Sequence, residues 1–349
     1  MLTGAAAAAG VGDPRSPHYP RPANPTPPWP HGFPIEGAPP DIAPWAAGNA
    51  GIPFLWSLDG AAPGPHAAIV ALTHGEEWSG AHAVAALLRA GARPARGRLS
   101  LLFHNWRAHA RWNPAEPNRA FHIDRDLNRV WDPALLDGDA AGDELDRARE
   151  LRPWLDTVDH LLDLHSTQQP SPAFALAGTQ DRSVAFACAL GFPRIVVRDL
   201  PHAAGRRMRD WPPFEDPSGT RTALVVECGQ HWVAGTVANA HRAARAFLVH
   251  LGMMPGGAAM ATEGPAAVIE TTGTVTAATD ACELLASWPD LCLVRRAGTL
   301  LGHDGAAAIR SPHDDAVVML PVRRPRPGLT ALRFGRWRDG RGVALPEIP

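Results

Sequence analysis

The chain has 349 residues, 45% of them hydrophobic and 19% charged, and a formal net charge of -2, so neither a disordered acidic tail nor a nucleic-acid-binding surface dominates it. All 33 of its basic residues are arginine; without a lysine it can build neither a pyridoxal phosphate Schiff base nor a Walker A loop. Codon bias in a sequence rich in Ala, Gly, Pro and Arg accounts for the missing lysine. Cys188, Cys228, Cys282 and Cys292 form no C-x-x-C pair and are too sparse for a disulfide framework, so a reducing, cytoplasmic location is expected. The alanine run near the start has no basic residue before it, and a secretory signal reads poorly. No apolar stretch reaches the roughly 20 residues that span a bilayer.

In chain order, residues 1–44 form a proline-rich lead-in, expected to be extended and laid over the surface, or partly disordered, because each proline fixes φ and removes a donor. Short apolar runs at 52–58 and 66–72, separated by turn residues, read as strands. Residues 76–88 carry Ala81, Val84, Ala85, Leu87 and Leu88 at helical spacing, and Gly91 and Pro94 end the helix. Strands are expected at 98–103, 158–164, 173–176, 194–197 and 222–226, with helices at 143–155 and 237–251. Such alternation argues for a layered α/β sheet over a domain of residues 45–256. From 257 to 349 short Val-, Thr- and Leu-rich runs with glycine turns predict a smaller β-rich domain.

Four segments carry the chemistry. In Thr73-His74-Gly75-Glu76-Glu77 a strand runs into a glycine turn and a helix, and a histidine and a glutamate three residues apart can converge on one cation. A turn histidine beside a carboxylate favoured by the helix dipole is the blander reading of this piece alone. Asp163-Leu164-His165 ends another apolar strand in a histidine, and in open α/β sheets ligands gather at the carboxyl ends of strands. Two imidazoles and one carboxylate suit zinc and leave a position open for water. Glu227 follows four apolar residues, where a carboxylate is costly unless paired or used; its use would be as the general base on metal-bound water, later protonating the leaving amine. The fourth segment, Asp126-Leu127-Asn128-Arg129, offers an amide beside a guanidinium, which grips a carboxylate bidentately.

Together these segments resemble the succinylglutamate desuccinylase and aspartoacylase family of the zinc carboxypeptidase clan, over about residues 40 to 330. The matching pieces are His74-Gly75-Glu76-Glu77 for H-G-x-E, Asp126-Leu127-Asn128-Arg129 for D-x-N-R, the strand-end His165, and Glu227-Cys228-Gly229 for glutamate-x-glycine. The resemblance implies a mixed central sheet flanked by helices, with a β-rich C-terminal domain restricting entry to small substrates. It implies that His74, Glu77 and His165 bind one zinc per chain, that Glu227 is the base, and that Asn128 and Arg129, with Asp126, orient the substrate. The expected activity is zinc-dependent hydrolysis of the amide bond of an N-acyl amino acid or similar small amide, with neither nucleic acid nor membrane as partner; a homo-oligomer is compatible with the sequence. The alternatives are a carboxypeptidase acting on short peptides and a metal- or substrate-binding homologue without turnover.

Two positions depart from the family pattern. Phe121 stands five residues before Asp126, where the family usually places an arginine that polarises the scissile carbonyl; either Arg119 or His122 supplies that charge, or nothing does. Glu76 stands where asparagine is common, adding a negative charge beside the metal, unless it is a solvated carboxylate at the helix start. With lysine absent, any cation recognising substrate must be an arginine or a protonated histidine, which also makes Arg221 a candidate. A thiol nucleophile at Cys228 beside His231 is disfavoured, since a cysteine on a buried-looking strand is usually a small core hydrophobe.

Overall fold

The computed structural model describes residues 34–256, 266–340 and 342–348; most of the proline-rich lead-in and the residues just after the expected domain junction at 256 lie outside the described residues. In the N-terminal part the apolar runs form β1 (Leu55–Asp59), β2 (His66–Ala71), β3 (Arg98–Phe103), β4 (His160–Thr167), β5 (Phe174–Ala177), β6 (Ile195–Arg198) and β7 (Thr222–Gln230). Between and after them run α1 (Ser79–Arg89), α2 (Trp106–His109), α3 (Pro133–Asp137), α4 (Asp143–Leu155), α5 (Asp181–Ala189), α6 (Pro212–Glu215) and α7 (Ala234–His250). The C-terminal part supplies β8 (Ala267–Thr276), β9 (Cys282–Leu284), β10 (Cys292–Val294), β11 (Leu300–Asp304), β12 (Ala307–Arg310), β13 (Ala316–Met319) and β14 (Thr330–Trp337). No helix among the described residues is long and apolar enough to cross a membrane.

β2 is buried at every residue, as a continuous apolar run must be in a sheet covered on both faces. One face packs Ile69, Leu162 and Val226 against Ala81 and Val84 of α1 and Phe247 of α7. The other packs Val70, Leu161 and Ala223 against Leu145, Ala148 and Leu151 of α4. The sheet between these layers is mixed: β2 runs parallel to β3 and β4, and β4 to β7, whereas β1 and β5 are antiparallel to their neighbours β3 and β7.

The β-rich C-terminal part is less separate than its composition suggests. β8 pairs in parallel with β6, Ile195 opposite Ala267, so β8, β14, β13 and β10 extend the central sheet to 11 strands, while β12, β11 and β9 form a small sheet of their own. Most of the expected strands and long helices appear with ends shifted by a few residues. Helix α5, which its weak amphipathicity hides, does not follow from the sequence pattern, nor do the short strands β9, β11 and β12. For the site, the decisive register is that of β4 on β7, which sets His165 opposite Glu227 at the carboxyl ends of both strands.

Candidate active site

After β2, Leu72 takes a φ of 64°, a left-handed conformation that is costly for leucine and turns the chain out of the sheet. Thr73 and His74 follow. A Cβ on Gly75 would fall 2.4 Å from both Ala120 O and His109 N, so only glycine fits between these backbones. Helix α1 starts at Ser79, later than expected, which leaves Glu76 and Glu77 in the turn before it.

This turn brings Glu77 between two histidines. His74 Nδ1 lies 2.8 Å from Glu77 Oε1, and His165 Nδ1 lies 2.9 Å from Glu77 Oε2. The far nitrogens also meet carboxylates: His74 Nε2 is 3.0 Å from Asp126 Oδ1, and His165 Nε2 makes a 2.9 Å ion-pair contact with Asp163 Oδ2 that falls short of hydrogen-bond alignment. Thr73 Oγ1 donates to Asp163 Oδ1 at 2.8 Å, holding that carboxylate from behind. Burial opposes charge on His74, yet Glu77 and Asp126 overcome it and raise the imidazole to about 10. Against the same burial, His74 and His165 hold Glu77 below the usual carboxylate range.

His74, Glu77 and His165 thus present donor atoms within 4.8 Å of one another and could hold one divalent metal. The chemistry of the donors fits zinc: two imidazole Nδ1 atoms and a carboxylate would hold the ion, and the carboxylate behind each imidazole would orient the ring and raise its basicity.

Glu227 is 7% exposed, and its Oε2 has no hydrogen-bond partner. Burial pushes its carboxyl up to about 8; His165 opposes the shift, and the Glu77 and Asp290 carboxylates add to it. A carboxyl that exchanges a proton near neutrality suits acid–base work. Cys228 beside it is fully buried, with its thiol pushed up by desolvation, so it packs rather than attacks.

The remaining expected residues separate. Asp126, expected at the substrate, is engaged by His74 and lies 3.7 Å from Arg129 Nε. Arg129 donates to the Asn128 carbonyl, while Asn128 Oδ1 accepts from the Met208 amide. Arg119 does not join the cluster: its half-exposed guanidinium pairs with Glu116 at 2.8 Å. Phe121 is there instead, stacked on His74. Arg221 precedes β7 and bonds to Asp156 O, at the amino end of the strand that carries Glu227 at its other end, about 20 Å away at strand rise. Glu76 is not a solvated helix-start carboxylate but 1% exposed, and burial together with Glu77 raises it well above the usual range.

Sequence reasoning misses three groups here. Glu144 of α4 reads as part of a charged face, yet it is buried and accepts from the Ile123, Asp124 and Arg125 amides, clamping the loop that leads to Asn128. Asp199 sits among Arg207, Arg209 and Arg333, with Asp210 completing the network. Ser166 Oγ bonds to His231 Nδ1 at 2.7 Å. The Glu144, Arg333 and Ser166 contacts join residues distant in sequence, so no pattern within a single segment signals them.

The family model of the succinylglutamate desuccinylase/aspartoacylase catalytic domain matches residues 63–250, more than half of the chain, including His74, Glu77, His165 and Glu227. The chain belongs to the succinylglutamate desuccinylase/aspartoacylase family. It is therefore a member of a family of hydrolases that remove acyl groups. Solved structures share its fold. Succinylglutamate desuccinylase from Vibrio cholerae is 18% identical, with a TM-score of 0.59, over 80% of this chain and 82% of that one. A succinylglutamate desuccinylase/aspartoacylase from Rhodobacter sphaeroides is 19% identical, with a TM-score of 0.59, over 81% and 88%. An ectoine utilization protein from Ruegeria pomeroyi, in a product-bound form, is 20% identical, with a TM-score of 0.56, over 80% and 88%. A search of curated proteins finds no match.

Proposed function

We propose that this family member is a zinc-dependent amidohydrolase that removes the acyl group from an N-acyl amino acid or a related small amide. The observation that carries this reading is the convergence of His74 Nδ1 and His165 Nδ1 on the two oxygens of Glu77, with the unpartnered carboxylate of Glu227 across from His165. Zinc, when bound by His74, Glu77 and His165, supplies Lewis-acid polarisation of the scissile carbonyl and acidifies water. Glu227 takes a proton from the attacking water as the carbon–oxygen bond forms, and hands it to the nitrogen as the carbon–nitrogen bond breaks. Asp126 and Asp163 fix the two imidazoles so that their Nδ1 atoms face the metal position.

Arg129, 23% exposed at its side chain, holds the substrate carboxylate as a planar fork, with Asn128 beside it. Small substrates are favoured because the C-terminal part abuts the loops around the site. Asp290 N donates to Pro170 O, and Thr330 Oγ1 meets His202 Nε2 at 3.0 Å. A hydrolysis screen over N-acyl amino acids and short peptides tests the reading, with released amine as the readout and Glu227→Gln as control. Turnover of an N-acyl amino acid that is lost in the variant is the expected result. Turnover confined to peptides would make the protein a carboxypeptidase, and no turnover in the metal-loaded wild type would leave a binding protein.

A further inference from the structure

We infer that Glu76, Glu77 and His231 form a second divalent-cation site beside the first, with the Glu77 carboxylate shared between the two. The inference rests on the proposed first site, because Glu77 belongs to both.

The donor atoms of Glu76, Glu77 and His231 lie within 4.8 Å of one another, close enough for one cation to reach all three. The three residues are 1%, 5% and 2% exposed, so water screens neither carboxylate. Glu76 Oε2 is buried without a hydrogen-bond partner. A buried carboxyl in that position either keeps its proton or takes a cation, since an unpaired buried charge is among the costliest groups a fold can carry. The Ser166 hydroxyl engages His231 Nδ1 at 2.7 Å, which fixes the orientation of the ring beside the two carboxylates.

The backbone is fixed on both sides of the site. Trp232 Nε1 donates to Glu76 O at 3.0 Å, and His231 N donates to Thr167 O at 2.8 Å. Trp232 also holds a φ of 63°, a strained conformation directly after His231. One imidazole and two carboxylates, with no thiolate, suit Zn2+, Mn2+ or Co2+. A carboxylate shared in this way would place the two ions side by side, as in two-metal hydrolytic centres. The second cation would hold Glu76 ionised and fix Glu77 from its other side.

The test uses the full chain, stripped with a chelator, reloaded with excess Zn2+ or Co2+, and freed of loose metal by gel filtration. Elemental analysis should give about two equivalents per chain in the wild type and about one in Glu76→Gln and in His231→Asn. In the cobalt form, the electron paramagnetic resonance signal per cobalt should be weaker in the wild type than in either variant, because two ions sharing Glu77 couple magnetically. Saturation of the wild type at a single equivalent, with an uncoupled cobalt signal, overturns the second site and leaves the first standing. Variants that bind as much metal as the wild type overturn it too. A wild type that binds no metal removes both sites together.

Discussion

Phe121 lies flat on the imidazole of His74, with ring centroids 4.2 Å apart and planes 16° from parallel. An apolar ring thus covers the histidine proposed as a metal ligand, at the position where the family pattern expects an arginine. Phe121→Ala should free His74 to tilt and weaken metal binding by about tenfold, the lower range for loss of a supporting contact. Competition with a chromophoric chelator measures it; unchanged affinity would show that the stacking does not position the ligand.

Asp163 is fully buried and joins Thr73 to His165. Asp163→Asn replaces an acceptor with an amide that cannot serve both neighbours. Metal affinity should fall by about 10- to 100-fold, with a smaller fall for Thr73→Val, which removes only the hydroxyl behind Asp163. A larger loss in Thr73→Val than in Asp163→Asn would reverse this order of support.

Glu227→Gln should lower kcat by about 10²- to 10⁴-fold while leaving metal content and Tm at or above the wild-type values. The side chain keeps its shape, and a buried carboxyl without a partner on Oε2 contributes no stabilising pair that the substitution could break. Wild-type turnover in the variant would be incompatible with a base at this position.

The arginines divide by location. Arg119→Ala and Arg221→Ala remove an exposed pair with Glu116 and a distant bond to Asp156 O, and kcat/KM should stay within about twofold, as for most surface changes. Arg129→Ala should raise KM by about 10-fold or more, since it removes the fork proposed for the substrate carboxylate. Equal effects from all three substitutions would contradict the division.

Acid should unfold the protein through the Asp199 network. Despite burial, Arg207, Arg333 and Arg209 hold Asp199 well below the usual carboxylate range, and Arg209 and Arg207 hold Asp210 at about 2. Both carboxylates therefore stabilise the fold fully above their unfolded value of about 4, and lose that contribution as pH falls through their folded values. His202 acts earlier: burial, then Arg129 and Arg333, lower it to about 2, so below about pH 6.5 the unfolded chain takes up a proton that the folded chain refuses. Through these groups calorimetric Tm should decline below about pH 6.5 and fall steeply below about 4. Asp199→Asn, which strips a buried partner from three arginines, should cost about 3 kcal/mol at neutral pH and flatten the steep limb. A steep limb as pronounced in Asp199→Asn as in the wild type would place the acid sensitivity elsewhere.

The sequence by itself determined the main strands and long helices, because their apolar runs and periodicities are local and a buried sheet leaves them few other ways to pack. It also pointed to the candidate ligands and base: a histidine and a glutamate three residues apart, and a histidine and a glutamate at strand ends, are visible without knowing what faces what. Only the tertiary structure decided the roles of residues whose meaning depends on a distant partner. Strand register set Glu227 across from His165 and sent Arg221 to the opposite end of the sheet. The turn after β2 buried Glu76 beside Glu77 and within a cation's reach of His231, although a glutamate before a helix reads locally as solvated. Asp126 turned from substrate to His74, and Arg333 reached Asp199 from the C-terminal strands. Hydrophobic patterning is written along the chain, whereas the pairing of buried charges is settled by which segments the fold brings together.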